Sequence, residues 1–172
     1  MNAVDFFFEN SANLDKELLV GKGERVSYHS MALRVSKLSA FLSKHYSKGS
    51  VIILVSPNNS FFVTVYLAVM KSGCICVPLN PAIEPGNFSY VVEKTQAVHV
   101  FLHSSLNNRL FKSGGAGLDG PEGAHAHHHF DSLFFTDEKE SGALGFGNGD
   151  ASYLTGPELA TDDTAQMIFT SG

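Results

Sequence analysis

The stretch from Val51 to Pro78 constrains the fold more than any other. Val51-Ile52-Ile53-Leu54-Val55 is continuous, apolar and mostly β-branched. A run this short, with no polar alternation, fits a strand buried on both faces, as in a parallel sheet. Ser56-Pro57-Asn58-Asn59 breaks the run and offers a cap for a helix over about 60–72. That helix is apolar almost all round, so it is expected to be deeply packed. Gly73 suits its C-terminal cap, and Cys74 to Val77 reads as the next strand, stopped by Pro78. Parallel neighbours need a crossover rather than a hairpin, so this stretch alone dictates an α/β chain.

The flanking sequence repeats the alternation. Leu18-Leu19-Val20 is closed by the turn signal Gly21-Lys22-Gly23, and Ser27 is placed to cap a helix. Tyr28, Met31, Val35, Leu38 and Leu42 form its apolar stripe, and its end is predicted near Lys48-Gly49. Leu79 to Gly86, with Pro81 and Pro85, reads as a loop. Phe88, Val91 and Val92 mark a short helix, and 97–102 is another strand. After Arg109 the character changes. A Gly/His-rich flexible insertion is expected at about 112–130, then one strand within 131–136, then a polar Gly-rich loop at about 138–160. Thr164 to Phe169 returns to a strand pattern. The expected fold class is α/β, a mostly parallel sheet flanked by helices, with residues 1–172 forming one partial domain. A strand running straight into Thr170-Ser171-Gly172 is normally succeeded by more chain, and a parallel strand needs neighbours. The expectation is therefore the front part of something longer.

Composition narrows the function classes. At 172 residues the chain can bury a core without disulfide or metal staples. Twelve Lys and Arg against seventeen Asp and Glu give a net charge of −5, which argues against a nucleic-acid partner. Local backbone dipoles can still hold a nucleotide phosphate. Cys74 and Cys76 are too few for a disulfide scaffold and read as small buried hydrophobes. The N-terminus lacks the basic start and long apolar stretch of a signal peptide, and the longest apolar run, 61–70, is too short to cross a bilayer. The expected location is the cytoplasm, with no integral membrane segment.

Most candidate chemistry has a plainer explanation. His125, His127, His128 and His129 could hold a transition metal, but no cysteine or carboxylate motif with zinc spacing accompanies them, so a low-complexity loop is preferred and no metal ligand is assigned. The glycine runs match neither the dinucleotide fingerprint nor the Walker pattern. No Gly-x-Ser-x-Gly elbow exists, and His29, His45, His99 and His103 are scattered, so no catalytic residue is assigned. Asp137-Glu138 and Asp162-Asp163 read as solvated loop positions, the latter pair also able to cap the next element. Thr170-Ser171-Gly172 differs in kind. Ligands of such folds bind outside the carboxyl ends of strands, where small hydroxyl residues and glycine let backbone N–H groups approach an anion.

Three segments together resemble the AMP-forming adenylate synthetases, which include acyl- and aryl-CoA ligases, luciferases and peptide-synthetase adenylation domains. Arg25-Val26-Ser27-Tyr28 is similar to the family's (T/S)-Y-x-E-L helix start. VIILVSPNNSFFVTVYLAVMKSGCICVPLNP, residues 51–81, resembles its strand, x-N-x-x-x-F helix, and G-A-x-x-x-P-L-N-P strand and loop, with Cys74 where the family usually has Ala. Residues 163–172, DTAQMIFTSG, resemble D-x-A-x-(I/L)-x-(Y/F)-T-S-G, the run-in to a phosphate loop that continues in the family as T-T-G-x-P-K-G.

The resemblance implies an ATP-dependent, AMP-forming acid–thiol ligase using ATP, Mg2+ and CoA, with a small carboxylic acid as substrate. It implies that Thr170, Ser171 and Gly172 begin the ATP phosphate loop. The remaining family machinery would lie downstream, so this chain alone is expected to be inactive. Alternatives are amino-acid adenylation in a peptide synthetase, a non-catalytic truncated remnant or binding module, and a metal-binding module built on the histidine tract.

Overall fold

A computed structural model of the protein describes residues 2–21, 23–106, 110, 134–137, 157–160 and 162–169. The elements run α1 (Ala3–Phe8), β1 (Glu17–Gly21), β2 (Glu24–Ser27), α2 (Tyr28–His45), β3 (Val51–Val55), α3 (Ser60–Lys71), β4 (Ile75–Leu79), α4 (Pro85–Thr95), β5 (His99–Leu102), a 3-10 turn (Ser104–Leu106) and β6 (Phe134–Asp137). Strands β4-β3-β5-β6 form one sheet in that order, every pair parallel, as the apolar runs predict. The Leu18–Val20 run does not join it. It pairs as β1 with β2 in a separate antiparallel hairpin.

All five residues of β3 are buried. Ile52 and Leu54 pack with Met31, Val35 and Leu38 of α2 and Val65 and Val69 of α3. Ile53 and Val55 pack on the opposite face with Phe88, Val91 and Val92 of α4. Two helical layers therefore enclose the sheet, which is why β3 carries no polar side chain. Ser27 caps α2 as expected, its hydroxyl accepting the Ser30 N–H at 3.2 Å. Gly73 adopts φ +80°, the left-handed conformation that ends α3. Asp5 of α1 forms an ion pair with the buried ammonium of Lys71, and Asn2 donates to the Lys71 carbonyl at 2.9 Å, so α1 is fastened to the end of α3. Burial outweighs the Asp5 carboxylate and lowers the Lys71 pKa.

Several predicted boundaries shift for identifiable reasons. Helix α2 stops at His45, because Tyr46 turns extended (φ −131°) and sends its hydroxyl to His99. Helix α3 is less enclosed than its composition predicts: Phe62, Val63, Tyr66, Leu67 and Met70 on its outer side are only half-buried. Pro85 opens α4 at its first turn instead of belonging to the preceding loop. There the missing N–H is no loss. Pro78 does not stop β4 but lies within it, opposite Leu54. The strand predicted within 131–136 is β6, at Phe134–Asp137. The expected insertion at 112–130 lies outside the described residues, as does most of 138–160.

His99 links three elements. Its Nδ1 lies 2.7 Å from the Tyr46 hydroxyl, its Nε2 3.0 Å from Thr136 Oγ1 of β6, and the ring is buried. Desolvation lowers its pKa from 6.5 to about 4. The native state therefore refuses a proton that the unfolded chain accepts. His99 contributes its full stability above about pH 6.5 and loses it as pH falls towards about 4, on the order of 3 kcal/mol in total. Urea midpoints measured across this window should fall with acidification, and His99→Gln should flatten that slope. An unchanged slope in the variant would show that His99 is not the group responsible.

Candidate functional site

Chain connectivity marks one edge of the sheet. The connection leaving β3 runs through α3 to β4 on one side, whereas that leaving β5 runs the opposite way along the sheet to β6. Crevices form where the strand order reverses in this way, at the carboxyl ends of the strands. Here that point lies between β3 and β5, beside the Ser56–Asn59 loop and the turn from His103. Both are internally fixed: Ser56 Oγ lies 3.2 Å from Asn59 Oδ1, and His103 Nδ1 lies 2.8 Å from Ser105 Oγ.

The amino end of α3 opens onto this edge and would ordinarily suit an anion. The protein fills it with its own groups. Asn59 Oδ1 accepts the Phe62 N–H at 2.9 Å. Glu24, from β2, accepts the Ser60 N–H at 2.9 Å and the Ser60 hydroxyl at 2.6 Å. A phosphate would have to displace the Glu24 carboxylate, so this helix end is closed to it.

The far side of β4 carries the last described segment. Cys76 and Gln166 form a parallel bridge. The Cys76 N–H donates to the Ala165 carbonyl at 3.0 Å, and the Met167 N–H donates to the Cys76 carbonyl at 2.9 Å. Alternation along a strand directs residue 78 to the same side as Cys76, but Pro78 has no N–H to continue the ladder. Side chains supplement it. Lys48 pairs with Asp163 at 2.6 Å, and Asp163 Oδ2 also accepts the Ala160 N–H at 2.6 Å. These two contacts hold the Asp163 carboxyl below its ordinary pKa, the Lys48 contact being the larger cause. The Tyr66 hydroxyl donates to Gln166 Oε1 at 2.6 Å. Leu159 packs over Gly73, where an added Cβ would meet Leu159 Cδ2 at 3.2 Å. The Asp162-Asp163 pair, expected to be solvated, divides: Asp162 is exposed, but Asp163 is an anchoring group.

The assigned site residues Thr170, Ser171 and Gly172 lie outside the described residues, immediately after Phe169. The histidine tract at 125–129 also lies outside them. Among the described residues no group of three or more His, Cys, Asp and Glu side chains could hold a metal ion. The scattered histidines have separate partners: His29 Nδ1–H donates to the Ala12 carbonyl, His45 Nδ1–H to the Phe41 carbonyl, and His103 Nδ1 meets Ser105 Oγ at 2.8 Å. Cys74 and Cys76 are free thiols in one core cluster, as expected, and burial pushes the Cys76 thiol up to about 12. Neither is poised as a nucleophile. Among the described residues no helix is long and apolar enough to cross a membrane. Sequence reading misses Glu24, Lys48 and Tyr66, each of which acts across a long chain separation. The Pro78 gap in the ladder is the one available signal.

Glu24→Ala should lower the unfolding free energy by about 1–2 kcal/mol, the worth of a charged group bonded at a helix start. Inorganic phosphate should then raise the melting temperature of the variant more than that of the parent chain. Equal responses would show that Glu24 does not close the helix end.

Comparison with known proteins gives three findings. The family description "AMP-binding enzyme" matches residues 7–172. Among curated relatives, 4-coumarate–CoA ligase-like 6 of Arabidopsis thaliana is 23% identical over 181 residues, covering 100% of this chain and 30% of that protein. Surfactin synthase subunit 3 of Bacillus subtilis strain 168 is 26% identical over 100 residues, covering 58% of this chain and 8% of that protein. The chain thus spans less than a third of either relative. Among solved structures, the N-terminal domain of FACL13 from Mycobacterium tuberculosis superposes with a TM-score of 0.75 at 16% identity, over 99% of this chain and 42% of that one, and shows the same fold.

Proposed function

This chain belongs to the AMP-binding enzyme family, and on that premise we propose that it supplies the nucleotide-phosphate edge of an ATP-dependent, AMP-forming acid–thiol ligase. The observation that carries this reading is the parallel bridge between Cys76 and Gln166. It aligns the segment ending at Phe169 with β4, so the chain proceeds towards Thr170, Ser171 and Gly172 in the same direction as the strands point. Ligands of open α/β sheets gather at that edge. The closure of the α3 amino end by Glu24 leaves the loop after Phe169 as the better phosphate site.

The proposed reaction has two halves. A carboxylate oxygen attacks the α-phosphorus of ATP, the bond to the bridging oxygen breaks, and an acyl-adenylate and pyrophosphate form. A thiolate sulfur then attacks the acyl carbon, and AMP departs with the bonding electrons. The hydroxyls of Thr170 and Ser171 and the backbone N–H groups of the loop donate to phosphate oxygens, and Gly172 leaves room for close approach. This work is positioning and electrostatic stabilisation. Magnesium would neutralise phosphate charge when bound, and no described residue is assigned to it.

A second reading shares the first half-reaction. The similarity to surfactin synthase subunit 3 favours amino-acid activation, with a carrier-bound thiol in place of CoA. Residues 170–172 would act identically in both, so the thiol acceptor separates them.

Pyrophosphate release from ATP, measured against a panel of fatty, aryl and amino acids, tests the proposal. The 172-residue chain alone should remain at the blank. The protein as translated from its own gene should release pyrophosphate with at least one acid, and Thr170→Ala together with Ser171→Ala should reduce the rate at least tenfold, roughly the effect of losing oriented donors. Release that is insensitive to both substitutions would contradict the assignment.

A further inference from the structure

We infer that Lys48 and Tyr66 are positioning residues that fix the segment 162–169 against β4 and thereby set where Thr170, Ser171 and Gly172 meet the nucleotide phosphates. This rests on the function proposed above and extends it to two residues outside the phosphate loop. Pro78 removes the N–H that would bond next on this side of β4, so the backbone ladder between the two segments is centred on one bridge. A segment held at one bridge can pivot about it. From Gln166 to Thr170 the chain can reach about 13 Å at the usual strand rise, so a small rotation at the bridge becomes a large displacement at the loop.

Two side-chain contacts oppose that rotation. Lys48, in the turn after α2, holds Asp163, three residues before Gln166, at 2.6 Å. Tyr66, on the outer side of α3, holds Gln166 itself at 2.6 Å. Tyr66 packs against the core on one face of the sheet, and Lys48 stands in the short turn that joins α2 to the buried strand β3. Asp163 is itself oriented by the Ala160 N–H, so the Lys48 contact meets a carboxylate already fixed in direction. Leu159 against Gly73 closes the same strap at its other end.

The test uses Lys48→Met, Tyr66→Phe and their combination, with Lys48→Arg as the conservative control. Amide hydrogen exchange of residues 164–169 should accelerate in both single variants and most in the double, while exchange in β3 stays unchanged. In the protein as translated from its own gene, the double variant should raise KM for ATP roughly tenfold, the scale of a modest misplacement of a binding group. KM for the acid should not change, and Lys48→Arg should restore most of the loss. Unchanged exchange in the double variant would overturn the inference. So would faster exchange with an unaltered KM for ATP, which would make the contacts merely structural. If the unsubstituted protein releases no pyrophosphate with any acid, the proposed function falls, and the exchange measurement alone decides whether the two contacts hold the segment.

Discussion

Burial of β3 on both faces is the constraint on which the rest depends. Five side chains that cannot meet water require a helical layer on each side. Each fully buried Val, Ile or Leu contributes about 1.5–3 kcal/mol, so the strand outweighs any surface contact nearby. Helices on both faces require crossover connections, and crossovers force parallel neighbours. Parallel order brings all the carboxyl ends to one edge, with the strand order reversing between β3 and β5. The candidate site is therefore a consequence of where apolar residues are placed in the middle of the chain.

Control of that edge is divided between groups that close it and groups that orient it. Glu24 comes from the separate hairpin and occupies the α3 amino end, trading a potential ligand site for a fixed helix start. Pro78 keeps β4 paired with β3 but leaves the other side short of a donor. Lys48 and Tyr66 compensate there with contacts that are solvent-accessible and individually weak, yet act at different points along the same segment. Ile168 and Phe169, 66% and 39% exposed, are apolar side chains beside the same edge.

Elements governed by local pattern were legible in the sequence. The β3 run, the α2 stripe, the Ser27 cap and the Gly73 terminus all depend on residues within a few positions of one another. The hairpin was not legible, because Leu18–Val20 looks like any short apolar run, and only its partner decides which sheet it joins. Pro78 and Pro85 were misplaced for a shared reason. Proline breaks an element only where an N–H is needed, and that depends on neighbours the sequence does not show. At the candidate site, the run-in at 163–169 was legible through its resemblance to a known family. Its anchors were not, since Lys48 and Asp163 meet across 115 positions, and Tyr66 and Gln166 across 100.

The most direct measurement is paramagnetic broadening by Mn2+–ATP in the protein as translated from its own gene, labelled with nitrogen-15 at glycine. Gly49 and Gly73 stand at the amino ends of β3 and β4, joined by a 2.9 Å backbone hydrogen bond. Gly172 comes after the segment that runs parallel to β4, towards the carboxyl ends of the strands. A five-residue strand separates the two edges by about 16 Å, ample for the steep distance dependence of the effect. The account predicts that the Gly172 resonance broadens while those of Gly49 and Gly73 stay sharp, and that excess Mg2+–ATP reverses the change. Broadening of Gly120 and Gly123, which immediately precede the histidine tract in sequence, with Gly172 unaffected, would contradict it.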